Sequence, residues 1–238
     1  MRLENLFRQA AFFLRGTSVW NSQATLDSIL EIQNLLGRND LKTEVLKELE
    51  RHTGNLARLE RNPDVDRERL GEILDELDQL IDLLYADNQP LGHELKQNEF
   101  LGSIRQRASI PGGTCQFDLP GYYHWLQRPD EQRVEDLRRW MSTFDVLQQA
   151  IEVILQLLRG SVPPQREVAA EGFYQRSLDP NSPPQLLRIA LPVDSPYYPE
   201  ISGGKHRFTI RFLQQDSPEE RAIQVREDVE FALACCLI

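Results

Sequence analysis

The sequence predicts an α+β protein in which an N-terminal helical bundle precedes a small antiparallel β domain. Two observations predict this class. Apolar residues recur at helical spacing through most of residues 1–160. Beyond Ser161 the pattern changes, because nine of the chain's 14 prolines and three segments of alternating apolar and polar residues lie there. We therefore predict a helical domain over residues 1–160 and a β domain over residues 161–238.

The helical domain is predicted to contain a hairpin of two leucine-rich helices. Apolar residues between Leu41 and Arg61 lie near one face of a helix. The sequence Asn62–Asp64 ends it, since the residue before a proline disfavours helix. Asp66 is the expected N-cap of a second helix, whose leucines follow the spacing of a packed helix pair. Its pattern lasts about two heptads, which favours a bundle core over a dimerising coiled coil. The other predicted helices cover Asn5–Leu14, Leu26–Leu36, His93–Arg107, Pro129–Trp140 and the segment from Leu147 to Gly160.

A non-helical insertion interrupts this domain near residues 109–120. Pro111 and the two glycines after it are a turn signal. Cys115, Phe117 and Leu119 then alternate with polar residues, which is typical of a strand. The pattern predicts a turn followed by a strand that could join the sheet of the β domain.

Three segments of the β domain alternate with the period of a strand buried on one face. Joined by loops rich in turn residues, they predict an antiparallel sheet. The alternating apolar residues run from Leu187 to Val193, from Phe208 to Phe212 and from Val229 to Cys235.

Composition limits the class of protein. The chain is acidic, with a formal net charge of -10, and 40% of its residues are hydrophobic, as in soluble globular proteins. An acidic chain is a poor general binder of nucleic acid, because phosphate contacts need lysine and arginine. The N-terminal apolar run "AAFFL" is too short for a signal peptide, and no segment has the length of a membrane span. Three cysteines without a CxxC pair are typical of a reducing compartment, so we expect a cytoplasmic protein.

Motifs for catalysis or metal binding are not found in the sequence. Its four histidines form no HExxH pair, and no P-loop, GxSxG or GxGxxG occurs. We therefore expect no enzyme activity, no metal and no cofactor.

One strand of this acidic chain is basic. No carboxylate lies between Ile201 and Phe212. If Phe208 and its alternate neighbours are buried, Lys205, Arg207, Thr209 and Arg211 share the opposite face. The first and last arginines are then about 13 Å apart, which suits two carboxylates of a peptide. The basic residues are Lys205, His206, Arg207 and Arg211.

Two other interpretations of this strand remain open. It can be a solvated face whose charges protect a sheet edge. It can also bind a nucleic acid or nucleotide, although the net charge opposes this and the phenylalanines face away from the arginines. The sequence Ser202–Gly204 before the strand allows a tight loop or the close approach of a ligand to the backbone.

Several stretches of the chain resemble one family, the ZapD family of cell division proteins. In chain order they read "RNDLKTEVLKELERH", "IRQRASIPGGTCQFDLPGYYHWL", "GFYQ", "YPEISGGKHRFTIRF" and "FALACC". The resemblance implies a helical domain, a β domain and a homodimer. It further implies a protein that binds the C-terminal tail of the tubulin-like division protein FtsZ and bundles FtsZ filaments at the midcell ring. Neither catalysis nor a cofactor is implied. FtsZ tails are short, carry carboxylates and follow a disordered linker.

The resemblance also implies where the tail binds. Lys205, Arg207 and Arg211 match the family's basic motif in the β domain. Arg207 and Arg211 are expected to hold tail carboxylates by paired hydrogen bonds, for which a guanidinium is suited, and Lys205 adds a less directional charge.

Residues of the helical domain are further candidates. Arg38 matches a basic position of the family and would join the site if both domains face one cleft. Arg105 and Arg107, which flank the insertion, are second choices. Each of these arginines can equally be a surface or capping charge.

Overall fold

The computed structural model describes residues 1–37, 40–87 and 89–237. In this part of the chain helices precede antiparallel strands, so the predicted α+β class is confirmed. The chain divides into two compact units, Met1–Ile154 and Leu155–Ile238. The division falls within the last helix. No helix among the described residues combines the length and the apolar character needed to cross a membrane.

Most of the predicted helices begin within three residues of the predicted positions, but the helix predicted over Leu26–Leu36 begins at Val19, and the helix Pro120–Leu126 was not predicted. Side-chain caps explain several of the starts. Asp66 accepts a hydrogen bond from the backbone N–H of Arg69 (3.1 Å), as expected of the predicted N-cap. Asn98 likewise accepts from the N–H of Leu101 (3.1 Å). Its extended backbone divides the predicted helix His93–Arg107 into two helices. The helices are α1 (Arg2–Phe13), α2 (Val19–Leu36), α3 (Leu41–Ala57, followed by a 3-10 turn, Arg58–Arg61), α4 (Arg67–Ala86), α5 (His93–Gln97), α6 (Glu99–Ala108), α7 (Pro120–Leu126), α8 (Asp130–Ser142) and α9 (Asp145–Gly160).

The predicted leucine-rich hairpin is formed by α3 and α4, which pack against each other. Leu49 of α3 and Leu77 of α4 are fully buried. Complete burial of such side chains contributes about 1.5–3 kcal/mol each. The leucine stripe is therefore part of the core of the first unit.

The predicted turn of the insertion is present, but the prediction of a strand after it is wrong: the segment forms no strand and joins neither sheet of the described chain. Residues 109–119 form successive turns, closed by hydrogen bonds such as that from the N–H of Cys115 to the carbonyl of Gly112 (3.1 Å). Phe117, one of the alternating apolar residues, is 92% exposed. Because the turns satisfy much of the backbone locally, the segment needs no partner strand. Helix α7 follows at Pro120, which suits the first helical turn because it lacks an N–H.

The second unit contains two antiparallel sheets. The first sheet has the order β1-β7-β3, and the second has the order β2-β5-β4, with β6 also paired to β5. The seven strands of the described chain are β1 (Gln165–Ala169), β2 (Phe173–Ser177), β3 (Leu186–Ala190), β4 (Tyr197–Gly203), β5 (Arg207–Gln214), β6 (Ile223–Gln224) and β7 (Val229–Cys236).

The two sheets share one hydrophobic core. As predicted, Phe208, Ile210 and Phe212 of β5 are buried, and they contribute to the same cluster as Phe231 of β7. Phe212 and Phe231 are in ring contact, with centroids 5.0 Å apart. The prediction that β7 is buried on one face holds only for its first part. At its end the other face is also buried, because Cys236 packs with Leu158 of α9.

His52 of α3 should make the stability of the first unit depend on pH. It is 1% exposed, and its Nε2 has no hydrogen-bond partner among the described residues. Burial, helped by the charge of Arg51, lowers the pKa of His52. Below the ordinary histidine pKa, near about 6.5, the unfolded chain therefore binds a proton that the folded chain resists. We expect the free energy of unfolding to fall as the pH drops through this range.

The variant His52→Leu removes this titrating group and should show a shallower decline in unfolding free energy below neutral pH. Urea unfolding of both proteins at several pH values measures the difference. Parallel pH profiles would mean that His52 gains a proton at no cost in the folded protein.

Candidate functional site

The second sheet places the predicted basic strand at its centre, with one face in the core and one face outside. Residues directly opposite each other in an antiparallel pair point to the same side of the sheet. Arg211 lies opposite Phe173 of β2 and Glu200 of β4. Thr209 lies opposite Gln175 and Ser202. We call this outward surface, centred on Arg207, Thr209 and Arg211, the exposed face of β5.

The burial of alternate residues explains why both arginines point outward. Phe208, Ile210 and Phe212 are at most 1% exposed, so the residues between them must project to the other side. Arg207 and Arg211 are both exposed. Four strand residues separate their Cα atoms by about 13 Å.

The two arginines differ in their charge environment. Arg211 Nη2 lies 2.6 Å from Glu200 Oε2, and both side chains are about half exposed. Arg207 has no ion-pair partner among the described residues. Glu200 directly precedes the segment from Ile201 to Phe212 that contains no carboxylate. The pairing of β4 with β5 nevertheless places it opposite Arg211. Arg207 is therefore the cation of this face that is freest to bind an anion.

Lys205 is displaced from its predicted position. It lies in the turn between β4 and β5, where the strand alternation does not apply. The N–H of Gly204 donates to the carbonyl of Arg207 (2.9 Å) and closes this turn. Lys205 and His206 are exposed there, so Lys205 places its positive charge just before the start of β5.

Sequence reasoning missed two aromatic residues on the exposed face of β5. Phe173, opposite Arg211, and Tyr198, opposite Leu213, are each 41% exposed. They give the Arg211 end of the face an apolar character that the Arg207 end lacks. Both lie in stretches that carry the family resemblance, "GFYQ" and "YPEISGGK". The resemblance was therefore a signal for these residues in the sequence. Only the pairing of β2 and β4 with β5 shows that they lie on the same face as Arg211.

Arg105 and Arg107 belong to the first unit, whereas the exposed face of β5 belongs to the second. Arg105 and Arg107 lie in the last turn of α6, where a cation interacts favourably with the helix dipole. Arg107 is 3.8 Å from Asp118. This distance is long for a salt bridge, and the side chains are partly exposed, so the pair contributes little to stability. Arg38 lies outside the described residues.

The residues that the structure describes give little support to metal binding or to a catalytic cysteine. They contain no group of three or more histidine, cysteine, aspartate or glutamate side chains able to hold a metal ion. The three cysteines are free thiols. Among the described residues, Cys235 accepts a contact from the guanidinium of Arg176 at 3.7 Å.

Comparison with known proteins points to one family. The sequence profile of ZapD, described as "Cell division protein", matches residues 1–211. A protein named Cell division protein ZapD from Methylococcus capsulatus is 45% identical over 238 residues, which is 100% of this chain and 93% of that protein. Proteins of the same name from Coxiella burnetii and Chromobacterium violaceum are 39% and 38% identical over 239 and 236 residues, and 93% of each is covered.

Proposed function

This chain belongs to the ZapD family of cell division proteins, and we propose that it binds the C-terminal tail of FtsZ and, as a homodimer, cross-links FtsZ filaments at the midcell ring. A role in cell division follows from the family. The tail as partner, the dimer and the bundling are the content of the proposal. In it the protein is a cross-linker without a catalytic site, cofactor or metal.

The observation that carries the proposal is the exposed face of β5. Arg207 projects from it without a carboxylate partner among the described residues, and Lys205 lies in the adjoining turn. On a chain of net charge -10, such a local positive surface selects a small acidic segment over a large polyanion. A short tail with carboxylates is a partner of this kind.

Arg211 can bind the tail in the proposed site only if the tail displaces Glu200. In the free protein it holds Glu200, and an exposed pair of this kind is stabilised by about 1 kcal/mol or less. A tail carboxylate can therefore take Arg211 over at small cost. Phe173 and Tyr198 lie beside it to contact apolar side chains of the tail.

Dimerisation converts weak tail binding into filament bundling. A short disordered peptide loses conformational entropy when it binds, so a single site is weak. A two-fold dimer presents two sites. Because one filament carries many tails, the second contact benefits from a high effective concentration. The proposal therefore needs no large interface between the protein and the body of FtsZ.

Low-speed co-sedimentation with polymerised FtsZ tests this proposal. We expect the protein to pellet FtsZ bundles, and to lose this activity when FtsZ lacks its C-terminal tail. Bundling should also fall steeply as salt rises to about 1 M, because partly exposed charge pairs are screened. Equal bundling of full-length and tail-less FtsZ would refute the tail as the binding partner.

A further inference from the structure

The insertion (residues 109–119) is a feature of the chain to which the proposed function gives no role. It lies in the first unit, between α6 and α7. Its apolar side chains Ile110 and Phe117 are 47% and 92% exposed. Among the described aromatic side chains none is more exposed than Phe117. Because aromatic residues are enriched in protein interfaces, an exposed phenylalanine beside a second apolar residue favours a contact surface.

The backbone of the insertion holds these side chains in fixed turns. The N–H of Ile110 donates to the carbonyl of Arg107, and the N–H of Gly113 donates to that of Ile110, both at 2.9 Å. Gly113 packs so closely that a Cβ would lie 2.7 Å from the carbonyl oxygen of Arg107. Leu119, at the end of the segment, is buried. Phe117 is therefore presented by an ordered segment, which reduces the entropy lost when a partner binds.

The surroundings of the insertion are positive although the chain is acidic. Residues 100–129 include three arginines and a single carboxylate, Asp118. Of these arginines, Arg128 is paired with a carboxylate of α8 at 3.0 Å. Arg105 has no ion pair within the described ranges, and Arg107 reaches Asp118 only at 3.8 Å. The uncompensated positive charge favours a partner with an acidic surface.

The insertion is too small to hold a partner by itself. Ile110 and Phe117 together offer roughly 300 Å² of apolar surface, whereas a stable complex buries about 800 Å² on each partner. A second copy of this chain is therefore not held by the insertion alone. A partner that is already tethered at another site can be, because the tether supplies a high effective concentration.

We infer that the insertion makes a second contact with FtsZ, on an acidic surface of the folded filament body and not on the tail. Phe117 fills an apolar hollow of that surface, and Arg105 and Arg107 lie beside its carboxylates. This inference rests on the proposed function, because the bound tail is the tether that makes so small a contact effective. The tail then decides whether FtsZ binds, and the insertion strengthens the cross-link between filaments.

Substitution of Phe117 separates bundling from tail binding. In co-sedimentation with full-length FtsZ, half-maximal bundling should need about tenfold more Phe117→Ala than unmodified protein, the effect of one lost buried aromatic side chain. Fluorescence anisotropy should show equal affinity of both proteins for a labelled tail peptide. Phe117→Leu should retain most of the bundling, because leucine is also apolar.

A matched control for this substitution lies elsewhere in the first unit. Phe12 of α1 is 67% exposed, so Phe12→Ala removes a comparable surface phenylalanine outside the insertion. This variant should bundle FtsZ like the unmodified protein. Urea unfolding should show the same stability for Phe117→Ala as for the unmodified protein, because so exposed a side chain contributes little to the core.

Alkylation of Cys115 locates the contact in the unmodified protein. Its thiol is exposed and lies two residues before Phe117. Its reaction with iodoacetamide, followed by mass spectrometry, should slow when full-length FtsZ filaments are added. The tail peptide alone should leave the rate unchanged.

Several outcomes would overturn the inference and leave the tail site standing. These are unchanged bundling by Phe117→Ala, an equal loss with Phe12→Ala, and protection of Cys115 by the peptide alone. Dissociation of Phe117→Ala into smaller species in sedimentation velocity would assign the insertion to a contact between copies, and would also overturn it. Equal bundling of full-length and tail-less FtsZ by the unmodified protein would instead refute the proposed function, and the tether with it.

Discussion

Arg133→Ala is expected to lower the free energy of unfolding by about 3 kcal/mol, because it removes a buried guanidinium and leaves its acceptors unpaired. Arg133 is 5% exposed. It donates to Ser22 Oγ at 3.1 Å and to the carbonyls of Thr17 at 2.8 Å and Leu126 at 3.3 Å. A further bond reaches the carbonyl of Arg128. Among the described residues Arg133 has no carboxylate partner.

These contacts give Arg133 a structural role across several elements of the first unit. They connect α8 to the segment before α2, to the first turn of α2 and to the C-terminal end of α7. The carbonyls at the end of α7 lack partners within the helix, so the guanidinium acts as its cap. Loss of Arg133 therefore affects more than one packing contact.

Urea unfolding of Arg133→Ala and of a control on the same helix measures the effect. Arg138 is exposed and has no ion pair in the described chain, so Arg138→Ala should change stability by about 0.5 kcal/mol or less. Arg133→Lys should be intermediate, because a single ammonium cannot reproduce the guanidinium fork. Equal losses for the Arg133 and Arg138 alanine variants would contradict the assigned role.

Arg207→Glu is expected to weaken binding of the FtsZ tail peptide by about tenfold or more, because in the proposed site it replaces a charge-assisted hydrogen bond with repulsion. Arg207 projects from the exposed face of β5, while its neighbour Phe208 lies in the core. The change should therefore leave the fold intact, as circular dichroism can verify. Fluorescence anisotropy gives the affinity, and co-sedimentation with FtsZ should show a matching loss of bundling.

Two further variants show whether the effect is local. Arg166→Glu makes the same charge change on β1, in the first sheet, where Arg166 is exposed and has no ion pair in the described chain; its affinity should stay near that of the wild type. Glu200→Gln releases Arg211 from its partner and should strengthen binding about twofold. Equal weakening by Arg207→Glu and Arg166→Glu would mean that net charge, and not this face, governs the interaction.

Local patterns predicted most of the helices and three of the strands, but not α7 or the strands β1, β2, β4 and β6 of the described chain. The helical spacing of leucines predicted α3 and α4, and Asp66 marked the start of α4 because a cap acts within one turn. The alternation at Phe208, Ile210 and Phe212 predicted both the strand and its buried face. The same reasoning failed at residues 109–119. Three alternating residues are too few to outweigh a chain of turns that satisfies its own hydrogen bonds.

The partner of a side chain depends on strand register and on packing between distant segments. The periodicity of the sequence carries no information about either. The sequence showed that Arg211 would face outward, but not that pairing of β4 with β5 places Glu200 beside it. The alternation also placed Lys205 on the basic strand, but this residue lies in the turn that precedes β5. Two partners of Arg133, Thr17 and Ser22, lie more than 100 residues away in the chain. No local sequence pattern predicts that an arginine will be buried. Short-range sterics and hydrogen bonding thus define the elements and their buried faces, whereas the environment of each charge depends on how distant elements pair.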